Sequence, residues 1–197
     1  MENFDLSGRV KAVLEAANTL LSDRERISAP IIIAIDGRCA SGKTTLSEAL
    51  QKELGCAVFH MDDFFLRPEQ RTAERLERVG ENVDHERFLE EVLRPLRSGE
   101  KTVVYRPFDC GTMSVSEAVS VGIGDICVVE GSYSCHSELW GYYDLRVFLD
   151  VDKGEQIGRI MRRNGEQRAE VFRSKWIPLE ERYFLEFDIQ NRCDLKL

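Results

Sequence analysis

Residues 31–45 of the chain read IIIAIDGRCASGKTT, and this stretch decides the fold. Its first five residues are apolar and mostly β-branched, which predicts a strand buried on both faces, as in a parallel sheet. From Gly37 to Thr44 the chain matches the pattern G-x-x-x-x-G-K-[ST] at every fixed position. Residues 43–54 then place apolar side chains at helical spacing. A strand, a glycine loop and a helix in this order predict a phosphate-binding loop.

The residue types of this loop suit the binding of a nucleoside triphosphate. Glycines let backbone N–H groups curl around phosphate oxygens, and the following helix directs its positive end at the same anion. Lys43 supplies a positive charge for the outer phosphates, and the Thr44 hydroxyl can ligate Mg²⁺. We therefore predict that the chain uses ATP, or another nucleoside triphosphate, together with Mg²⁺. The predicted nucleotide-binding residues are Gly37, Arg38, Cys39, Ala40, Ser41, Gly42, Lys43, Thr44 and Thr45.

Short apolar runs alternate with amphipathic segments along the rest of the chain. Runs at 56–61, 126–129 and 145–151 predict further buried strands, and residues 101–106 predict a short strand. Residues 84–96 predict an amphipathic helix that is capped by its first residue. Strands that alternate with helices predict an α/β fold, a three-layer sandwich with a mainly parallel sheet, as in P-loop NTPases.

The N-terminal segment is predicted to stand before the main domain. Residues 1–29 have apolar side chains at helical spacing and predict an N-terminal helical extension, which Pro30 ends. Residues 30–197 are then sufficient for one domain with one sizeable core. No repeat, low-complexity tract or linker divides this part of the sequence.

Composition and charge narrow the environment and the partners. The net charge of −8 argues against a broad nucleic-acid surface. Six scattered cysteines without a C-x-x-C pair are typical of reduced thiols. Neither a signal peptide nor an apolar stretch of membrane-spanning length is visible, so we expect a cytoplasmic protein without a membrane partner. The oligomeric state stays open, a homo-oligomer included.

The arrangement of motifs after the loop resembles one family of P-loop proteins. The sequence has no Asn-Lys-x-Asp motif, which a GTPase would use to read its base. It does have HMDDFF at 60–65, NVDHERF at 82–88, VEG at 129–131 and an arginine-rich stretch at 159–168. In this order and spacing, the motifs resemble the uridine kinase and phosphoribulokinase-like group, which includes nicotinamide riboside kinases.

The resemblance implies a small-molecule kinase and assigns roles to particular residues. It implies an acceptor-binding insert at about 62–110 and a lid at about 155–175, which closes over ATP. The implied catalytic residues are Asp62, as the base, with Lys43, Arg159 and Arg163. The implied acceptor-binding residues are Asp62, Asp84, Tyr105 and Arg168. Mg²⁺ is expected to be held by Thr44, Glu130 and Asp62, and Glu130 suits this role because it ends a buried strand.

Simpler interpretations of the same residues stay open. Asp62 and Asp63 could be turn residues, Asp84 a helix cap, and Tyr105 an ordinary sheet aromatic. The arginines could form a solvated helix face, and His60 and His136, which lack metal-ligand spacing, are expected to be structural or to line a pocket.

The acceptor and the class of protein also leave alternatives. The expected reaction is ATP-dependent phosphorylation of a hydroxyl on a small metabolite, in particular the 5′-hydroxyl of a ribonucleoside such as uridine or cytidine. Nicotinamide riboside, pantothenate and other sugar-like alcohols are alternative acceptors. A nucleotide-binding regulatory protein without catalysis is the alternative from another class.

Overall fold

The structure, a computed structural model, describes residues 5–22 and 29–197. In chain order its strands are β1 (Ile31–Gly37), β2 (Ala57–His60), β3 (Thr102–Tyr105), β4 (Phe108–Asp109), β5 (Ser114–Val115), β6 (Val119–Gly122), β7 (Ile126–Glu130), β8 (Leu145–Leu149) and β9 (Leu195–Lys196). The helices are α1 (Leu6–Ser22), α2 (Lys43–Leu54), α3 (Ala73–Glu77), α4 (residues 85–98), α5 (Lys153–Asn164), α6 (residues 166–186) and α7 (Ile189–Arg192).

The central sheet has five parallel strands in the order β2-β7-β1-β8-β9. Every residue of β1 is buried, as predicted for a strand covered on both faces. Ile31, Ile33 and Ile35 pack with α1 and α2 on one face, while Ile32 and Ala34 belong to the core on the other face. Helices on both faces confirm the predicted three-layer α/β sandwich.

Helix α1 is part of this sandwich. It runs from Leu6 to Ser22, so the remainder of the predicted helix at 1–29 mostly lies outside the described residues. Val13 and Ala17 are fully buried in the same cluster as Leu46 and Leu50 of α2. The division of the chain into an extension and a domain stays a prediction.

Three predicted strands are shorter in the structure, and four observed strands were not predicted. The run at 101–106 loses one residue at each end, since β3 spans Thr102–Tyr105. The run at 56–61 is a strand only at Ala57–His60, because Met61–Phe64 forms a 3₁₀ turn, and the run at 145–151 ends at Leu149. Three of the four unpredicted strands contain only two residues, which is too short for a sequence pattern. The fourth, β6, pairs antiparallel with β3 in a separate two-stranded sheet.

Helices α4 and α6 each contain one wider π-helical turn, at Leu89–Leu93 and at Phe172–Trp176. Each turn precedes a proline, Pro95 or Pro178, within two residues. A proline within a helix lacks an N–H group and clashes with the carbonyl four residues earlier, and a π-helical turn relieves that clash. Within the described residues, no helix is both long and apolar enough to span a bilayer.

Candidate functional site

A cavity of about 730 Å³ opens where the carboxyl ends of β1, β2 and β7 meet. In open parallel sheets this edge is where ligands bind. Twenty residues line the cavity: Cys39, Ala40, Gly42, Lys43, Thr44, Thr45, Asp62, Phe65, Asn82, Val83, Glu130, Gly131, Ser132, Tyr133, Glu155, Arg159, Arg163, Phe172, Trp176 and Glu180. Six of the nine predicted loop residues therefore reach the cavity, together with Asp62, Glu130, Arg159 and Arg163.

The phosphate loop has the geometry of an anion cradle. Gly37 has φ +133°, and a Cβ there would lie 2.1 Å from the carbonyl oxygen of Leu149, so only glycine fits. Gly42 has φ +99° immediately before α2, whose first-turn N–H groups have no carbonyl partners within the helix. Lys43 Nζ donates to the carbonyls of Gly37 and Arg38 over 2.7 and 3.0 Å. The loop thus fits a phosphate chain.

Three predicted loop residues do not line the cavity: Gly37, Arg38 and Ser41. The side chain of Arg38 is turned away from the cavity: its Nε donates to Asp150 Oδ1 over 2.7 Å and its Nη1 pairs with Glu181. Arg38 therefore fastens the loop to the segment after β8 and to α6.

The donor set for a divalent cation lies beside the loop. Thr44 Oγ1 is 3.4 Å from both carboxylate oxygens of Glu130, which is nearly buried at the end of β7. His60 Nδ1 lies 2.6 Å from Glu130 Oε1, and this hydrogen bond raises the pKa of His60. Hydroxyl and carboxylate oxygens are ligands that Mg²⁺ prefers, so these residues fit the predicted ion.

Asp62 lies in the 3₁₀ turn after β2, and its side chain is open to the cavity. Partial desolvation by the surrounding protein raises the pKa of Asp62, and the negative charge of Glu130 raises this pKa further. The charges of Lys43 and His60 lower the pKa of Asp62. A carboxylate whose pKa is raised is a better proton acceptor than an ordinary aspartate.

The three other predicted acceptor residues do not line this cavity. Asp84 Oδ1 accepts the N–H of Arg87 over 3.2 Å, which confirms the helix cap, and its Oδ2 has no hydrogen-bond partner among the described residues. Tyr105 Oη donates to Asp63 Oδ2 over 3.0 Å, and its ring stacks on Phe64. Arg168 is exposed on α6. Their predicted contacts with an acceptor stay predictions.

The predicted lid begins with α5, which follows β8. Arg159 Nη1 donates to the carbonyl of Ala40 over 3.1 Å, and its Nε pairs with Glu155. Arg163, one helical turn further along α5, also lines the cavity. Both arginines therefore line the cavity from one helix, and Arg159 also contacts the phosphate loop.

The sequence interpretation missed one wall of the cavity. Phe172, Trp176 and Glu180 are four residues apart on α6 and line the cavity as one stripe. Glu180 is nearly buried, and its two carboxylate oxygens accept the backbone N–H of Cys39 over 3.0 Å and the hydroxyl of Ser132 over 2.7 Å. The spacing of four was visible in the sequence, but only packing reveals which neighbours the stripe contacts.

A group of Glu81, His85 and His136 lies outside the cavity, with one potential ligand atom of each within 4.8 Å of the others. The imidazole rings stack 4.1 Å apart and nearly parallel, so their nitrogens do not converge on one ion. Glu81 already pairs with Arg75, and His136 Nδ1 accepts the N–H of Glu138. This geometry fits a structural stack better than a metal centre.

Several known proteins are similar to this chain in sequence or in fold. No family model matches the chain. Uridine-cytidine kinase B of Dictyostelium discoideum is 29% identical over 151 residues, which cover 71% of this chain and 60% of that protein. A uridine kinase of Staphylococcus epidermidis is 29% identical over 153 residues, which cover 73% of this chain and 72% of that protein.

A solved structure titled as a possible uridine kinase from Bacillus stearothermophilus has the same fold. Its TM-score is 0.67 at 23% identity, and the match covers 98% of this chain and all of the other. The chain spans only about 60% of the length of its Dictyostelium relative. In sequence the chain is similar to these uridine kinases, and its fold is that of the solved structure from Bacillus stearothermophilus.

Proposed function

We propose that this protein transfers the terminal phosphoryl group of ATP to a hydroxyl of a small metabolite, in particular the 5′-hydroxyl of a ribonucleoside. One observation carries the proposal: the phosphate loop, the Thr44–Glu130 pair and Asp62 all face the same cavity. Phosphoryl transfer asks a protein mainly for alignment and for neutralisation of charge. A regulatory protein without catalysis would not need a carboxylate placed like that of Asp62.

The proposed step divides among a few side chains. Asp62 accepts the proton of the acceptor hydroxyl. At the same time the oxygen of that hydroxyl attacks the γ-phosphorus, and the bond between this phosphorus and the bridging oxygen of ADP breaks. Lys43, released from the loop carbonyls, contacts the outer phosphates, and Arg159 and Arg163 neutralise charge on the transferred group. Thr44 and Glu130 would hold Mg²⁺, which supplies positive charge to the phosphate oxygens when bound.

The walls of the cavity favour an acceptor with a planar ring. Phe65, Tyr133, Phe172 and Trp176 all line it, and aromatic side chains stack well on flat ring systems. A volume of about 730 Å³ leaves space for an acceptor beside a triphosphate. These features support a nucleoside such as uridine or cytidine over an open-chain alcohol such as pantothenate.

A carboxylate on the same walls supports a second candidate, nicotinamide riboside. Its pyridinium ring is planar and positively charged, whereas uracil and cytosine are neutral. Glu180 lines the cavity and is nearly buried there, whereas Glu155, which also lines it, is already paired with Arg159. A buried carboxylate attracts a cationic ring more strongly than a neutral one.

The proposed enzyme works in the cytoplasm and has no nucleic-acid or membrane partner. Assembly with copies of itself is compatible with this proposal. All six cysteines are free in the structure, which suits a reducing compartment. The net charge of −8 supports a small-molecule partner over nucleic acid.

A panel of acceptors tests the function directly. The purified chain is incubated with MgATP and uridine, cytidine, nicotinamide riboside, pantothenate or simple sugars, and ADP release is followed together with the mass of the product. We expect one ring-bearing nucleoside to gain a single phosphate. ATP binding without phosphorylation of any acceptor in a broad panel would favour the regulatory alternative and contradict the proposal.

A further inference from the structure

Each of the six carbonyls from Gly37 to Gly42 accepts a hydrogen bond from a donor on one of three helices. Lys43 of α2 donates to the carbonyls of Gly37 and Arg38, and the N–H of Leu46 donates to the carbonyl of Gly42. Side chains from α1 and α5 donate to the remaining three carbonyls over 3.1 Å: Gln156 to Cys39, Arg159 to Ala40 and Arg9 to Ser41.

The carbonyl of Ser41 controls the amide of the following glycine. In a trans peptide the C=O group and the next N–H group point in opposite directions. Because Arg9 holds the Ser41 carbonyl on the outer side of the loop, the Gly42 N–H points to the other side. Gly42 lines the cavity, whereas Arg9 and Ser41 do not.

Because residue 42 is a glycine, the peptide group between Ser41 and Gly42 can rotate easily. Rotation of the peptide between Ser41 and Gly42 changes φ of Gly42, which is +99° in the structure. A glycine adopts positive and negative φ about equally readily, so the residue itself opposes such a rotation only weakly. An outside donor is therefore needed to keep the N–H group turned toward the cavity.

Arg9 is well fixed for this purpose. Its helix is anchored in the core by Val13 and Ala17, which are fully buried. The second guanidinium nitrogen, Nη2, lies 3.5 Å from the carbonyl oxygen of Asp150, beyond β8. A charged donor that is held between two carbonyls makes a stronger hydrogen bond than a neutral one.

We infer that Arg9 is a positioning residue for the phosphate loop, and that through it α1 is part of the nucleotide-binding site. The inference rests on the proposed use of this loop for ATP. Arg9 does not touch the nucleotide: it acts by keeping the Gly42 N–H turned toward the phosphates. Its loss should weaken nucleotide binding and leave acceptor binding unchanged.

The test measures binding of a non-hydrolysable ATP analogue, with Mg²⁺, by titration calorimetry. Arg9→Met removes the donor and retains much of the chain length. We expect its dissociation constant to rise about tenfold, the value for loss of a charged hydrogen bond. Arg9→Lys, which restores one charged donor, should recover most of the affinity. Lys11→Met is the matched control, because Lys11 is on the same helix with its side chain 76% exposed.

The outcomes separate the inference from the proposed function. No binding by the wild type would contradict the proposed function. Wild-type affinity in Arg9→Met, even with a lowered melting temperature, would overturn the positioning role and leave only a structural one. If Arg9→Met raised the KM for the acceptor as much as the KM for ATP, this result would also overturn the positioning role. If Arg9→Met fails to fold, Arg9→Gln, which keeps a shorter neutral donor, replaces it with the same expected direction.

Discussion

Tyr183 Oη donates a hydrogen bond to Asp36 Oδ2 over 2.8 Å in the fully buried core. Asp36 is the residue before the phosphate loop, and Tyr183 lies on α6. The same carboxylate accepts the N–H groups of Gly37 over 2.7 Å and of Cys135 over 2.9 Å. Asp36 therefore joins the start of the loop, the segment after β7 and the helix that carries the aromatic stripe.

Removal of the Tyr183 hydroxyl should destabilise the protein. In Tyr183→Phe a buried carboxylate loses one of its three donors, while the volume of the core hardly changes. We expect the free energy of unfolding to fall by about 1–3 kcal/mol, the usual result when a buried acceptor is left short of a partner. Urea unfolding followed by circular dichroism measures this change.

Tyr143 provides the matched control for this variant. Its hydroxyl is also buried, but within the described residues it has no hydrogen-bond partner. Tyr143→Phe removes an unsatisfied polar group, so we expect an unchanged or slightly increased free energy of unfolding. Equal losses in the two variants would show that the Asp36 contact contributes nothing specific.

The stability should also depend on pH through Asp36. Burial raises the pKa of Asp36 to about 6, from 3.8 in the unfolded chain, although its hydrogen bonds and Lys43 act in the opposite direction. The folded protein therefore binds this proton more tightly, and the resulting stabilisation, present below pH 4, is lost as the pH rises through 6. The stability advantage of wild type over Asp36→Asn should shrink by about 1–3 kcal/mol between pH 4 and 7. An advantage that grows over this range would contradict the prediction.

Local patterns were sufficient for the centre of the fold. The run at 31–35 is the buried strand that it predicted, α2 occupies Lys43–Leu54, and Asp84 caps α4. In each case the deciding information lies within a few neighbouring residues, as alternation, helical spacing or a cap. The loop motif, likewise local, predicted six residues that do line the cavity.

Contacts between distant segments could not be read in this way. Glu180 lies 141 positions from Cys39, and Arg9 lies 32 positions from Ser41, yet both pairs are hydrogen-bonded. Nothing in the local sequence indicates these partners, because they meet only after the sheet has formed. Strand β9 has two residues and is defined by its pairing with β8 rather than by a pattern of its own.

Asp62→Asn should separate chemistry from nucleotide binding. The amide keeps the shape of the side chain but cannot accept the proton of the acceptor hydroxyl. We expect turnover to fall by about 10²–10⁴-fold, with the affinity for ATP nearly unchanged. Asp63→Asn is the neighbouring control, because Asp63 bonds Tyr105 and does not line the cavity. Normal turnover by Asp62→Asn would remove Asp62 from the base role.

Glu130→Gln should raise the concentration of Mg²⁺ that nucleotide binding requires. Glu130 and Thr44 lie 3.4 Å apart, and the substitution removes the negative charge from this oxygen set. We expect the Mg²⁺ concentration for half-maximal binding of an ATP analogue to increase about tenfold or more. The exposed Glu138 offers a control in Glu138→Gln. Identical Mg²⁺ curves for wild type and Glu130→Gln would exclude Glu130 from the metal site.

Gly37→Ala should damage the fold at the point where the loop begins. The new Cβ would lie 2.1 Å from the carbonyl oxygen of Leu149, which is backbone of the neighbouring strand, and φ at Gly37 is +133°. Since neither strand can move without breaking the ladder, we expect a loss of roughly 2–4 kcal/mol in unfolding free energy, together with weaker nucleotide binding. In Gly124→Ala the added Cβ meets no atom within 4 Å, so its stability should stay within about 0.5 kcal/mol of wild type. The stabilities of the two variants are compared by thermal unfolding. Wild-type stability in Gly37→Ala would show that the backbone at residue 37 can move away from Leu149 without destabilising the fold, and would contradict the prediction.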